Sequence, residues 1–175
     1  MTLSEAHRRY LIVEQSIGAA VFNFVLNGAI AWLTFRSLET IPVWGQQSIA
    51  GDTIGTAFLL PFITCLIVTR LAHAELRKGR LPALEWRRAS HPWLARLPHS
   101  TWARGAILGL VCVVISVPVS LWALSVLAAD GMGFWAFIAF KATFAAVLAA
   151  IFTPVIALAA LADGVPQRAP VGAAR

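Results

Sequence analysis

Residues 134–161 read FWAFIAFKATFAAVLAAIFTPVIALAAL and hold a single charged side chain, Lys141. The run is longer than the roughly 20 apolar residues needed to cross the hydrocarbon core of a bilayer. Inside that core the backbone must satisfy its own hydrogen bonds, and a helix does so within one segment. Three runs of the same kind precede it, at 10–35, 53–69 and 106–127, the second being the shortest. The expected fold is all-α: one polytopic membrane domain over residues 1–175, with four transmembrane helices arranged as two hairpins. The connection at 128–133 contains Asp130-Gly131-Met132-Gly133, a tight-turn sequence, and the one at 36–52 contains Pro42, Trp44 and Gly45.

Composition points the same way. Hydrophobic residues make up 59% of the chain and charged ones 13%, against about 25% charge in a soluble domain; mean hydropathy is +0.76. The basic residues stand in blocks between the apolar runs. The first tail has Arg8 and Arg9, the segment 70–104 has Arg70, Arg77, Lys78, Arg80, Arg87, Arg88, Arg96 and Arg104, and the last tail has Arg168 and Arg175. Lys/Arg-rich connections resist translocation, so all three are expected on the cytoplasmic side of an inner, bacterial-type membrane, with both termini inside. Only Arg36 is expected opposite, with Lys141 inside the fourth run. The pair Arg8-Arg9 before an apolar run resembles an export signal, but the run is too long for one and lacks a cleavage site, so it is expected to remain as the first helix.

The segment 70–104 interleaves arginines with Trp86, Trp93 and Trp102 and with Pro82, Pro92 and Pro98. Indoles favour the headgroup layer and guanidinium groups favour lipid phosphates. Arg77, Lys78, Arg80, Arg87, Arg88, Trp86, Trp93 and Trp102 are therefore the candidate anionic-headgroup contacts, a solvated linker being the plainer alternative. Nothing places the basic residues in a nucleic-acid-binding motif, and the expected partners are the bilayer, a second copy of the chain and a larger membrane protein.

On a helical projection of about 100° per residue, Ser16, Asn23, Asn27 and Thr34 fall on one arc with Ala20 and Ala31, while Phe22, Val25 and Trp32 lie away from it. Carboxamides in hydrocarbon need partners, so this face either packs on another helix or lines a polar path. Glu14 lies on the other side of the same helix, near its inner end. A first-helix glutamate in a four-span chain resembles the small multidrug resistance transporters in that one feature, which would imply a proton or cation site at Glu14. The chain departs from that family in its length, its large basic segment and the shallow position of the carboxylate; pairing with Arg8, Arg9 or another headgroup-level cation is the alternative.

Asp52 opens the second run, where an aspartate serves as helix cap or complements the helix dipole. Lys141 lies about two turns into the fourth run and must snorkel or pair; Asp52, Glu39 and Asp130 are the acids on its side, and an Asp52–Lys141 ion pair is the expectation. Pro61, Pro118 and Pro154 bend three helices, as hinges or as static kinks. Cys65 and Cys112 lie inside runs without metal or redox spacing, and His7, His73, His91 and His99 all lie outside the runs. With no nucleophile, phosphate-loop or metal motif, no enzyme, cofactor or metal is expected. The expected role is a small permease-like or channel-like transport component, homo-oligomeric, of unspecified substrate. The alternative is a non-transporting scaffold or lipid-sensing, partner-binding module acting through the basic segment.

Overall fold

The computed structural model describes residues 3–82, 84, 91–127 and 130–164, without the side chains of Trp93 and Leu127. Four helices in it are long and apolar enough to cross a membrane: Glu5–Phe35, Ile49–Arg77, Thr101–Val126 and Phe134–Asp163. This is a multi-pass membrane protein.

The first of these is continuous but changes its winding. A short α1 (Glu5–Arg9) leads into a π-helical stretch (Tyr10–Gly18) and then α2 (Ala19–Phe35). It starts before the apolar run because Ser4 caps it, accepting the His7 backbone N–H at 3.3 Å. At the end of the wider π turns, a side chain on Gly18 would stand 3.3 Å from the Val13 carbonyl five residues back, which glycine avoids. The helix α3 (Ile49–Arg77) likewise extends past the run at 53–69 at both ends. Its cap is Ser48, whose Oγ accepts the Gly51 N–H at 3.2 Å. Asp52 therefore sits in the first turn instead of capping it. A one-turn α4 (Pro92–Ala95) precedes α5 (Thr101–Leu127) and α6 (Phe134–Asp163). Gly164, at φ 72°, terminates α6.

Three apolar layers stack along the bundle. Ala31, Phe35, Ile49, Leu124 and Phe137 close one end, Ala57, Leu60, Cys112 and Ala145 fill the middle, and Tyr10, Cys65, Leu108, Ala157 and Leu161 close the other. Tyr10 and Leu161 share a layer, so the first and last helices have their outer ends at the same end of the bundle. At the opposite end, β1 (Thr40–Ile41) pairs antiparallel with β2 (Met132–Gly133), Thr40 facing Gly133 and Ile41 facing Met132. The ladder continues as Phe134 N–H to Glu39 O at 3.0 Å. Gly131, at φ 106°, makes this possible, because any side chain there would run into the Ile41 carbonyl. The Asp-Gly-Met-Gly turn thus clasps the other connection as well as reversing the chain.

The packing departs from two self-contained hairpins. The close helix pairs are α2 with α6, α3 with α6, and α3 with α5; neither pair expected as a hairpin, α2 with α3 or α5 with α6, is among them. A short turn brings the chain back but does not choose its neighbour; small side chains do. α6 is central because Ala142, Ala145, Ala149, Thr153, Ala157 and Ala160 form a buried stripe. α5 reaches α3 through Gly105 and Gly109, a glycine pair four residues apart. A Cβ on Gly109 would lie 2.8 Å from the Phe58 carbonyl oxygen, and one on Gly105 would lie 3.1 Å from that of Phe62. Backbone cannot yield as a side chain can, so Gly109→Ala is expected to destabilise the protein by about 1–3 kcal/mol. Gly55→Ala, with open space at its Cβ, should be neutral or stabilising by up to about 1 kcal/mol. SDS-titration unfolding in mixed micelles of both variants checks the contrast.

Candidate functional site

The two ends of the bundle differ chemically. The end that holds Tyr10 and Leu161 carries Arg8, Arg9, Arg70, Arg77, Lys78, Arg80 and Arg96, all exposed. Trp102 is there too, 62% exposed, its ring 5.8 Å from that of Phe62. Trp86, Arg87 and Arg88 lie outside the described residues, as does the Trp93 side chain. Trp44, Trp122 and Trp135 ring the other end, all largely exposed, and the Arg36 guanidinium lies 5.5 Å from the Trp32 ring centre. Indoles at both ends and a bare apolar waist are the arrangement expected of headgroup-level belts.

At the arginine-rich end, the first helix, the last turn of α3 and residues 80–81 flank an open cleft of about 510 Å³. Its charged and polar wall is Glu5, Arg9, Tyr10, Glu14, Glu75 and Arg80. His7 holds the wall in place: its ring bonds the Pro82 carbonyl at 2.9 Å and the Ser4 hydroxyl at 2.7 Å. This histidine, outside the apolar run, is 3% exposed. Arg80 pairs with Glu75 at 3.4 Å. Glu14, on the π-helical stretch, is exposed and has no ion-pair partner among the described residues; the expected contact with Arg8 or Arg9 is not formed. The Tyr10 side chain is 4% exposed, and its hydroxyl is buried without a hydrogen bond, within electrostatic reach of Glu14 and Glu75.

The polar face of the first helix is satisfied locally. Asn23 donates to the Ala19 carbonyl at 2.9 Å and Asn27 to the Asn23 carbonyl at 3.1 Å, each one turn back on its own helix. Ser16 crosses to α6, donating to the Ala150 carbonyl at 3.0 Å. Thr34 is exposed. The face packs on α6, with Gly28 against Ala142. The four side chains therefore do not converge on one site: three sit along the α2–α6 seam and Thr34 lies outside it.

Among the described residues two ion pairs are buried, one near each end of α6. Lys141 Nζ donates to Asp52 Oδ1, both side chains being largely withdrawn from the surface. Glu39 and Asp130, the other acids on that side, are exposed. At the opposite end Arg104 is 0% exposed. Its Nη2 donates to Asp163 Oδ2, and Nε and Nη2 donate to the Pro98 carbonyl at 3.2 and 3.1 Å, while Nη1 is buried without a partner. His99 Nδ1 stands 3.5 Å from the other Asp163 oxygen, and the His73 ring bonds the Ala160 carbonyl at 3.2 Å. Sequence reasoning placed Arg104 among the loop charges and did not single out Asp163. The available signal was an arginine directly before Gly105 and Gly109, at the start of a helix whose small residues bring it close to a neighbour. Cys65 and Cys112 are buried free thiols.

No protein family, no curated protein and no solved structure matches the chain.

Proposed function

We propose that this chain lies in a bacterial-type inner membrane with both termini on the cytoplasmic side, and that it works at the inner headgroup layer as a lipid-sensing or partner-binding module. One observation carries this: among the described residues the exposed basic side chains other than Arg36, together with Trp102 and the charged cleft, gather at a single end of the bundle. Basic ends stay on the cytoplasmic side during insertion and attract the anionic lipids of that leaflet, each nearby Lys or Arg contributing about 1 kcal/mol. Arg77, Lys78, Arg80 and Trp102 present that surface, and Trp86, Arg87, Arg88 and Trp93 extend it along the chain. A larger membrane protein with an acidic face would engage the same surface.

A permease-like or channel-like role, exercised by a homo-oligomer, is the second reading. It is favoured by Lys141 and Asp52, since ionisable groups inside spans commonly mark ion or substrate paths. Its weakness is the first-helix polar face, whose asparagines bond to their own helix and need no water. The two readings separate in purified protein reconstituted into liposomes. The headgroup module is expected to pass ions and small solutes no faster than protein-free vesicles, with Asn27→Leu changing nothing. Arg87→Glu combined with Arg88→Glu should instead lower the share of anionic lipid that co-purifies. A solute flux that Asn27→Leu abolishes would establish the transporter and exclude the module.

A further inference from the structure

We propose that the π-helical stretch Tyr10–Gly18 is one state of a two-state switch. It is latched to α6 by the bond from Ser16 to the Ala150 carbonyl; on release it rewinds as α-helix while Thr153 takes that carbonyl over.

The latch exists because of Pro154. A proline inside a helix has no N–H for the carbonyl four residues back, and its ring pushes that carbonyl aside. The carbonyl four residues before Pro154 is that of Ala150, and it is the one that accepts the Ser16 hydroxyl at 3.0 Å. At hydrocarbon depth no water can take its place, so the partner must come from the protein. Two hydroxyls can serve it. Ser16 does so from the first helix. Thr153 stands three residues after Ala150, and a helical threonine commonly bonds the carbonyl three or four residues back. Here its Oγ1 is buried and has no hydrogen bond. An acceptor with one donor engaged and a second within a turn, buried and unused, is the arrangement of an exchange.

The stretch that carries Ser16 supplies the opposing drive. π-Winding is rare, mostly confined to a single turn, and concentrated at functional sites; in this chain it runs for nine residues. Tyr10, its first residue, is 4% exposed with its hydroxyl unpartnered. Gly18, its last, faces the Val13 carbonyl five residues back, 3.3 Å from where a Cβ would stand. Among the described residues three buried side-chain atoms lack a partner, and two of them, on Tyr10 and Thr153, belong to the two elements that the latch joins. Unmet buried hydroxyls are costly and call for an explanation. A second winding supplies one: releasing Ser16 frees Thr153 to turn to Ala150, and rewinding rotates Tyr10 about the helix axis out of its enclosed position. The same rotation re-aims Arg8, Arg9 and Glu14, so a contact at hydrocarbon depth controls which charges the first helix presents at the arginine-rich end.

Double electron–electron resonance on the full-length protein in lipid nanodiscs tests this, with nitroxides on Arg8→Cys and Leu71→Cys, both exposed positions, and with Cys65→Ala and Cys112→Ala removing the native thiols. Arg8 precedes the stretch and Leu71 stands on α3, so rewinding changes the distance between them. The latched distance should dominate the native sequence, and Ser16→Ala should raise the ratio of released to latched molecules about fivefold. Thr153→Val keeps the shape, removes the hydroxyl, and should lower that ratio about fivefold, in the native sequence and in Ser16→Ala alike. Gly18→Ala touches neither hydroxyl, yet it favours α-winding and should raise the ratio too. Pro154→Ala returns an N–H to the Ala150 carbonyl and should make Ser16→Ala and Thr153→Val silent. A single distance that none of the variants changes would overturn the switch and leave Pro154 a static kink served by Ser16. Ser16→Ala and Thr153→Val moving the ratio in the same direction, or keeping their effects beside Pro154→Ala, would overturn the exchange at Ala150.

Discussion

Lys141→Met is expected to destabilise the protein by about 3–5 kcal/mol, and Asp52→Asn by a comparable amount, while the double variant recovers most of the loss. The asymmetry follows from burial. Lys141 is 4% exposed and its ammonium is bonded to Asp52, whose side chain is 15% exposed, so removing either partner strands the other charge in a largely dehydrated setting. Removing both deletes the desolvation cost along with the attraction. The neighbouring contacts do not substitute: Thr53 is committed to the Ile49 carbonyl at 2.7 Å, and Glu39 and Asp130 stay at the surface. SDS-titration unfolding of the wild type, both single variants and the double variant gives the coupling directly. Additive single effects would show that the two charges are independently solvated and that the pair is not what joins α3 to α6 at this end.

Four membrane-crossing helices follow from the sequence because the bilayer imposes a length and an absence of charge that few other environments require. The helix limits do not, because they are set by groups outside the apolar runs. Ser4 and Ser48 cap their helices before the runs begin, and α3 continues through Arg70 and His73 to Arg77 with Ala72 still buried against the core. Neighbour choice was not legible either. Stripes of small residues occur on α3, α5 and α6 alike, and only the three-dimensional arrangement decides that Gly109 meets Phe58 while the alanines of α6 serve two partners. The meeting of Lys141 and Asp52 is the easier case, since an isolated charge in an apolar run must find an opposite one, and few acids stand at its level. The fate of Asn23 and Asn27 is the harder one. A carboxamide in hydrocarbon needs some acceptor, and the carbonyl one turn back is always within reach, so a polar face on a projection does not distinguish a path from a seam. The cleft was partly visible in Glu14, but Tyr10 and Glu75 joined it only through the approach of the first helix to the end of α3.

Asp163→Asn is the second large expected effect, again about 3–5 kcal/mol, because it withdraws the counter-charge from a guanidinium that is fully enclosed. Arg104 would keep the Pro98 carbonyl as a neutral acceptor, yet one of its terminal nitrogens is already buried without a partner. A second unmet charge-bearing group could be accommodated only by opening the end of the bundle to water. That opening has its own readout. Cys65 is 0% exposed, with its sulfur 3.5 Å from the Thr101 carbonyl three residues before Arg104, so its alkylation by a small maleimide should accelerate in Asp163→Asn in step with the lost stability. Cys112, in the middle layer with Ala145 and Ala149, should remain protected, which separates local opening from global unfolding. Arg104→Met with Asp163→Asn removes both charges and should restore the slow alkylation of Cys65. If Asp163→Asn unfolds at the wild-type SDS fraction and leaves Cys65 protected, Arg104 is held by Pro98 and its packing alone, and the carboxylate of α6 contributes nothing to closing this end.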